Sequence, residues 1–357
     1  MEQIWWRNIS KAAFLIRSVA DTLLGGQCLI LTVPAAVPWK DTMMDQIRER
    51  LSAENNERSL IELDCPDCPA GKYLLDEFCK REKRAQYRPG KSYAEFLARS
   101  EGIVLNTRDL WIRISTQKQL DEWCSFISEY NKNLMPDLPH AGFVLELQEG
   151  FRIPRGISGM KHISFQKLIE PFDVYTFCAL TCTENGLNER ERLYLAQTVS
   201  AICGTDVELC ALCMAHSREL LEDPAGVLQR IAASELHSDG NPIVLPLTEE
   251  AIATKLWESQ IKVLFPILEQ YRSGFIRRHL AAIESALPIE NKMGEILSSP
   301  CDVELGMLIT LTARGVIRLS AQEYEMLVLF RDARNTLAHL KVVPYGDAAR
   351  ILRQDHW

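Results

Sequence analysis

The chain has 357 residues, 47% of them hydrophobic and 25% charged, which is typical of a globular protein with two or three domains. Its net charge of -8 excludes a strongly basic surface, so any contact with nucleic acid needs a local basic patch. No apolar run reaches the roughly 20 residues of a membrane span, the start lacks a signal-peptide pattern, and eleven cysteines then predict reduced thiols in a cytoplasmic protein.

The amino-terminal half alternates short apolar strands with amphipathic helices. Apolar residues recur at helical spacing in the first segment, and Gly25-Gly26 ends that helix. Strands that alternate with helices predict a mostly parallel sheet with helices on both faces. The predicted strands cover 28–33, 59–63, 103–105, 142–147 and 160–168, and the predicted helices cover 6–25, 40–53 and 117–131.

The loop after the first strand stands where a P-loop protein would hold phosphate. It contains Lys40, the residue type that reaches the phosphates in G-x4-G-K-[ST]. However, Pro34 and Trp39 replace both glycines, and Asp41 puts a negative charge beside the site. Asn106 stands where the third strand is expected to end in a magnesium-positioning acid. The loop is therefore predicted to be degenerate.

The order of these elements resembles STAND- or AAA-type P-loop ATPases over about residues 1–235. The resemblance rests on topology and position, and not on an intact motif. It implies a degenerate, non-hydrolysing P-loop domain over 1–171 and a small helical lid domain over 172–240, without a required cofactor. Lys40 is the candidate nucleotide ligand, and an ATP-driven switch that needs this lysine is an alternative.

Two further features of this half allow two interpretations each. Residues 80–93 combine basic side chains with tyrosines, which suits RNA contact but also a solvated helix end. The pairs Cys65/Cys68 and Cys210/Cys213 have the spacing of a four-cysteine zinc site. The second pair lies in an apolar helical run, where free cysteine acts as a small hydrophobe. We therefore predict no metal site.

The carboxy-terminal third, 247–357, has a helical pattern throughout. A linker rich in glycine and proline, 237–246, precedes it. A long helix with an apolar stripe is followed by a second helix over about 302–315. A third helix begins near Ser320, where Glu323 completes a capping box. These elements predict a small helical bundle.

The third helix carries the sequence Arg334-Asn335-x3-His339. Positions four apart share a helix face, so Arg331, Asn335 and His339 form a polar stripe with Arg334 beside it. Histidine transfers protons near neutral pH, and the arginine fork matches a phosphate. These side chains suit metal-independent cleavage of RNA, in which the neighbouring 2'-hydroxyl is the nucleophile.

This motif, at the end of an all-helical segment, resembles the R-x(4–6)-H signature of HEPN-domain ribonucleases. The resemblance implies that Arg334 and His339 are catalytic, that Asn335 supports them, and that two copies form the site as a homodimer through the bundle. The structural alternative is a helix whose charged face is simply solvated, with His339 near the negative end of the helix dipole. Further candidate RNA contacts are Arg331, Arg277 and Arg278.

The predicted fold is therefore α/β plus all-α: a parallel P-loop-type sheet domain with a helical lid, then a HEPN-like bundle. The predicted function is a cytoplasmic endoribonuclease that the degenerate P-loop module regulates or recruits. Such a pairing of domains resembles prokaryotic anti-phage or toxin effectors, which implies RNA and a protein of the same system as partners, and no membrane. The alternative is a non-enzymatic scaffold that assembles partner proteins or RNA.

Overall fold

The chain divides into two compact units, 1–173 and 174–357, in the computed structural model. The first unit holds a parallel sheet and the second is largely helical, so the combination of an α/β part with a helical part is confirmed. Within the described residues, no helix combines the length and the apolar character that a membrane crossing requires. The ends of the predicted strand 160–168 and of the chain lie outside the described residues. The structure describes residues 1–136, 138–154, 156–165, 169–182, 186–290 and 294–354.

The first unit is built on a five-stranded parallel sheet in the order β2-β3-β4-β1-β5. The adjacent inner strands β4 and β1 are buried along their whole length, which requires cover on both faces. The strands are β1 Cys28–Thr32, β2 Ser59–Asp64, β3 Arg108–Arg113, β4 Gly142–Leu147 and β5 Met160–Ser164.

Helices cover both faces of this sheet, as predicted. Three helices pack on the face that presents Ile30, Ile112 and Leu145. Because side chains alternate along a strand, Leu29 and Leu31 point to the opposite face, where α2 packs on β1. The helices of this unit are α1 Glu2–Asn8, α2 Ser10–Leu24, α3 Lys40–Glu54, α4 Ala70–Phe78, α5 Arg81–Arg84, α6 Tyr93–Ala98 and α7 Gln117–Lys132, and the first face is covered by α4, α6 and α7.

Two of the predicted elements are wrong in detail. The predicted strand at 103–105 is a loop that leads into a 3₁₀ turn, Val104–Thr107. Ile103 and Leu105 are buried against the helices α4, α6 and α7, so their apolar character serves helix packing and not strand pairing. Asn106 therefore ends no strand. The predicted helix 6–25 is two helices, because Ile9 has an extended backbone.

An ion pair at the start of β3 ties three segments of the first unit together. Arg58 donates to both carboxylate oxygens of Asp109 and, at 3.2 Å, to the backbone oxygen of His140. The Asp109 side chain is fully buried and that of Arg58 is 16% exposed. The carboxylate lies so close to Gly142 on β4 that a Cβ there would approach it to 2.2 Å. The pair thus needs a glycine opposite it.

Replacement of Asp109 by alanine should strongly destabilise the first unit, because it leaves the Arg58 charge without its partner. Loss of one member of a buried pair costs about 3–5 kcal/mol. Asp64→Ala is a matched control, since it removes the 85% exposed partner of Arg113 and should cost less than about 1 kcal/mol. Urea unfolding followed by circular dichroism measures both. Equal losses in the two variants would contradict the assignment.

The second unit is organised around one thirty-residue helix, α13, which contains Pro266. The helices α9, α16 and α17 pack on it. Residues predicted as a lid and residues predicted as a bundle therefore belong to the same compact unit, and their division into two domains stays a prediction. The elements are α8 Pro171–Thr181, α9 Glu189–Cys203, α10 Val207–Ala215, α11 Ser217–Glu222, α12 Pro224–Ser234, α13 Glu249–Arg278, α14 Leu280–Ala286, β6 Ile289–Glu290, β7 Ile296–Leu297, α15 Leu305–Ala313, α16 Ala321–Ala338 and α17 Tyr345–Leu352.

Candidate functional site

The motif lies at the end of α16, whose start is the predicted capping box. The Ser320 hydroxyl accepts from the Glu323 backbone N–H at 3.2 Å, and the Glu323 carboxylate accepts from the Ser320 N–H at 2.9 Å. Two aromatic contacts fix the helix against α13. Tyr271 stacks on Phe330 with ring centroids 3.9 Å apart, and Trp257 Nε1 donates to the Leu337 carbonyl at 2.8 Å. The motif therefore stands on a helix that is held at both ends.

The helix ends at His339 in a turn that is normally made by glycine. The Lys341 N–H bonds the Thr336 carbonyl at 3.0 Å, and the Leu340 N–H bonds the Leu337 carbonyl at 3.2 Å. These two bonds are those of a Schellman motif. Leu340, at the left-handed position, has a φ of 58° and is 72% exposed. A branched residue is strained there, directly after the candidate catalytic histidine.

Leu340→Gly should stabilise the second unit by about 1 kcal/mol relative to Leu340→Ala, because glycine adopts the left-handed conformation without a steric cost. Both variants remove the exposed side chain, so the difference between them isolates the backbone term. The midpoint of urea unfolding measures it. An alanine variant as stable as the glycine variant would show that the turn carries no strain.

Arg334 of the motif and the neighbouring Arg331 are each paired with an acid. Arg334 Nη2 lies 3.0 Å from Glu304 Oε1, and Arg331 Nη2 lies 2.6 Å from Asp332 Oδ1. Asn335 and His339 are exposed. The site thus presents an exposed histidine and amide beside two arginines that already have counter-ions.

Arg334 also borders a cavity of about 230 Å³ between α13, α15 and α16. Arg272 orders its wall: this side chain bonds Glu269 at 2.8 Å and donates to the backbone oxygens of Cys301 and Val303 at 2.9 and 3.3 Å. The cavity is lined by Glu269, Arg272, Cys301, Asp302, Glu304, Leu305 and Arg334.

Sequence reasoning missed Glu304, because it lies thirty residues before Arg334 and stands in a loop without any motif of its own. Its nearness to Arg334 depends on how α15 packs against α16. The apolar pattern predicts that the two helices pack but does not give their register.

The structure separates Arg277 and Arg278 from the motif. Both are exposed at the carboxyl end of α13. Arg278 acts electrostatically on Glu323, which lies in the first turn of α16. Sixteen residues separate Glu323 from His339, which is about 24 Å along a helix. Within one chain, these two arginines are therefore remote from the histidine.

Acid should weaken the start of α16. Hydrogen bonds from Ser320 lower the pKa of Glu323, with a smaller effect of Arg278. A lowered pKa means that this stabilisation is present above the ordinary glutamate pKa of about 4.3 and is lost as the pH falls through the lowered value. Glu323→Gln keeps an acceptor but does not titrate. Wild type should therefore exceed this variant in thermal stability at pH 7, and the difference should shrink as the pH falls through the lowered pKa of Glu323. A difference independent of pH would refute this.

Lys40, the candidate nucleotide ligand, begins α3 and lies at the carboxyl edge of the sheet. Its Nζ is 2.5 Å from Glu146 Oε1 on β4, and the other oxygen of Glu146 accepts from Trp111 Nε1 at 2.5 Å. The strands β1 and β4 flank the point where the chain connections reverse direction, which is where open α/β sheets bind ligands. Lys40 is therefore held by an internal ion pair at the edge of the sheet where the sequence predicts a degenerate phosphate loop.

The neighbouring cations at this edge also have acidic partners. Arg113 bonds Asp64 at 2.7 Å, which lowers the pKa of that carboxyl group, and Arg48 is paired with Glu62. A nucleotide would have to displace these acids in order to reach a cation.

The two cysteine pairs have different surroundings, since Cys65 and Cys68 are half-buried whereas Cys210 and Cys213 are buried. All eleven cysteines are thiols that are not joined in disulfides. Cys210 and Cys213 are buried with Cys203, whose Sγ is 3.6 Å from that of Cys213. Burial raises the pKa of Cys203 well above its usual value, which keeps it a thiol. In the described part of the chain, no three histidine, cysteine, aspartate or glutamate side chains are grouped so that they could hold a metal ion.

Comparison with known proteins gave no match that would assign a function to the site. No protein-family model matches the chain, and no curated protein matches it. The arrangement itself offers an exposed proton-transfer group, an exposed amide and a guanidinium at a cavity mouth. Together these groups could bind a phosphodiester and transfer a proton beside it.

Proposed function

We propose that the chain is a metal-independent endoribonuclease of the HEPN type. His339 would act as general acid or base, Arg334 would stabilise charge on the phosphate, and Asn335 would orient one of them. The observation that carries the proposal is that Asn335 and His339 are exposed at the end of α16, where the half-buried Arg334 borders a cavity. Neither metal nor cofactor is needed for attack by a 2'-hydroxyl.

The proposed site includes a second copy of the chain. Arg334 and His339 are five positions apart, and thus about 140° apart around a helix axis. Arg334 leans towards Glu304 on the side of α15, whereas His339 caps the helix end in solvent. One chain therefore presents the two groups in divergent directions, and a symmetric dimer through the bundle would let each group meet its complement from the partner.

The first unit would regulate or recruit the ribonuclease as a degenerate P-loop module. The ion pair of Lys40 with Glu146 supports a role that does not depend on ATP hydrolysis. A cytoplasmic effector of an anti-phage or toxin system, with a protein partner from that system, is the setting we propose by analogy.

A non-enzymatic scaffold is the second candidate. The observation that favours it is that Lys40, Arg331 and Arg334 are all engaged by acids of the same chain. A scaffold would use the surfaces of both units and would tolerate changes in the motif.

Cleavage of a mixed RNA pool in EDTA tests the proposal, together with light scattering of the purified chain. A dimer that cuts RNA is expected, and Arg334→Ala or His339→Ala should lower the rate by about 10²-fold or more, because acid–base groups contribute 10²–10⁴-fold. Retention of full cleavage by His339→Ala would exclude this histidine from catalysis.

Matched controls keep this test specific. Arg350→Ala breaks an ion pair with Glu325 in the same unit, as Arg334→Ala breaks the pair with Glu304. His216→Ala removes another exposed histidine. Both controls should cut RNA like wild type. A monomeric chain that is inert on RNA and unaffected by Arg334→Ala would favour the scaffold.

A further inference from the structure

We infer that Glu304 controls the access of an RNA phosphate to Arg334, as a competing anion within the chain. The inference rests on the proposed function and names a residue that tunes substrate binding at the same site. Glu304 Oε1 is 3.0 Å from Arg334 Nη2, where a phosphate oxygen would otherwise be bound.

The local structure directs this carboxylate towards α16. Glu304 is the N-cap residue of α15, yet its side chain makes no capping hydrogen bond to its own helix. An N-cap side chain commonly accepts from the N–H groups of the first turn. Here the carboxylate instead reaches across to Arg334.

Arg272 fixes the segment that immediately precedes Glu304. It donates to the backbone oxygens of Cys301 and Val303, so the residues before Glu304 are fixed by contacts that do not involve the glutamate itself. Glu304→Gln should therefore leave the loop and the start of α15 in place. The variant changes the charge next to Arg334 and little else.

The contact is weak enough to be exchanged. The side chains of Arg334 and Glu304 are 33% and 64% exposed, and ion pairs of such exposure contribute little to stability. The planar guanidinium can instead bind a phosphate through two parallel hydrogen bonds. Glu269 is paired with Arg272 on the cavity wall, whereas Asp302 adds negative charge there, so a phosphate would meet Arg334 from the solvent side. An RNA phosphate would therefore displace Glu304.

A rival role is that Glu304 positions Arg334 for the substrate. The two roles predict opposite changes in RNA affinity when Glu304 is replaced. Removal of a competitor strengthens RNA binding, whereas removal of a positioning group weakens it.

Fluorescence anisotropy with a labelled single-stranded RNA oligonucleotide, in EDTA and in a His339→Ala background that prevents cleavage, distinguishes these roles. Glu304→Gln should tighten binding about two- to fivefold, the factor that corresponds to an exposed ion pair. The gain should disappear in Glu304→Gln/Arg334→Ala. Glu325→Gln is the matched control, because it removes the same charge from a similar pair with Arg350. That control should change binding less than twofold.

The outcomes separate this inference from the proposed function. If Glu304→Gln tightens RNA binding through Arg334 but the wild-type protein cuts no RNA, the role of Glu304 is supported and the ribonuclease function is refuted. If the wild-type protein cuts RNA but Glu304→Gln does not tighten RNA binding, the ribonuclease function stands and the role of Glu304 is overturned. Weaker binding, an equal effect of Glu325→Gln, or no RNA binding by any variant would also overturn it.

Discussion

The burial of α13 is the constraint on which the second unit depends. Its apolar side chains meet α9, α16 and α17, and the segment that follows the motif satisfies one of its buried polar side chains. Gln260 is buried and bonds the backbone N–H and carbonyl of Val343 at 2.7 and 2.8 Å. Trp257 bonds the last turn of α16. The motif is therefore placed by a helix some eighty residues earlier in the chain, and its exposed side chains are left for function.

In each of the two units, a cation at a candidate site is paired with an acid of the same unit. Lys40 lies against Glu146 at the carboxyl edge of the sheet, and Arg334 lies against Glu304 at the end of α16. The burial differs, however, since the Glu146 side chain is 9% exposed and that of Glu304 is 64% exposed. A buried partner is costly to displace, whereas an exposed one exchanges readily with a phosphate. This difference is why the proposed activity is assigned to α16 and not to the loop after β1.

The wrongly predicted strand has a physical explanation. Ile103 and Leu105 lie in an apolar run, and such a run does not reveal whether it pairs with strands or packs on helices. The neighbouring strand β3 begins at Arg108 and contains Asp109, a charge that is unexpected in a buried strand. Its partner Arg58 lies far away in sequence, so the ion pair that allows this burial could not be predicted from the local pattern.

Local sequence patterns correctly predict the alternation of strands and helices, the parallel sheet, the capping box of α16 and the helix that carries Arg334, Asn335 and His339. These features follow from periodicity and from residues close in the chain, which act through local backbone geometry. Tertiary structure decided the partners of the charges: Arg58 with Asp109, Lys40 with Glu146 and Arg334 with Glu304. Such pairs form between distant segments, and their register is set only when the apolar faces between them are buried together.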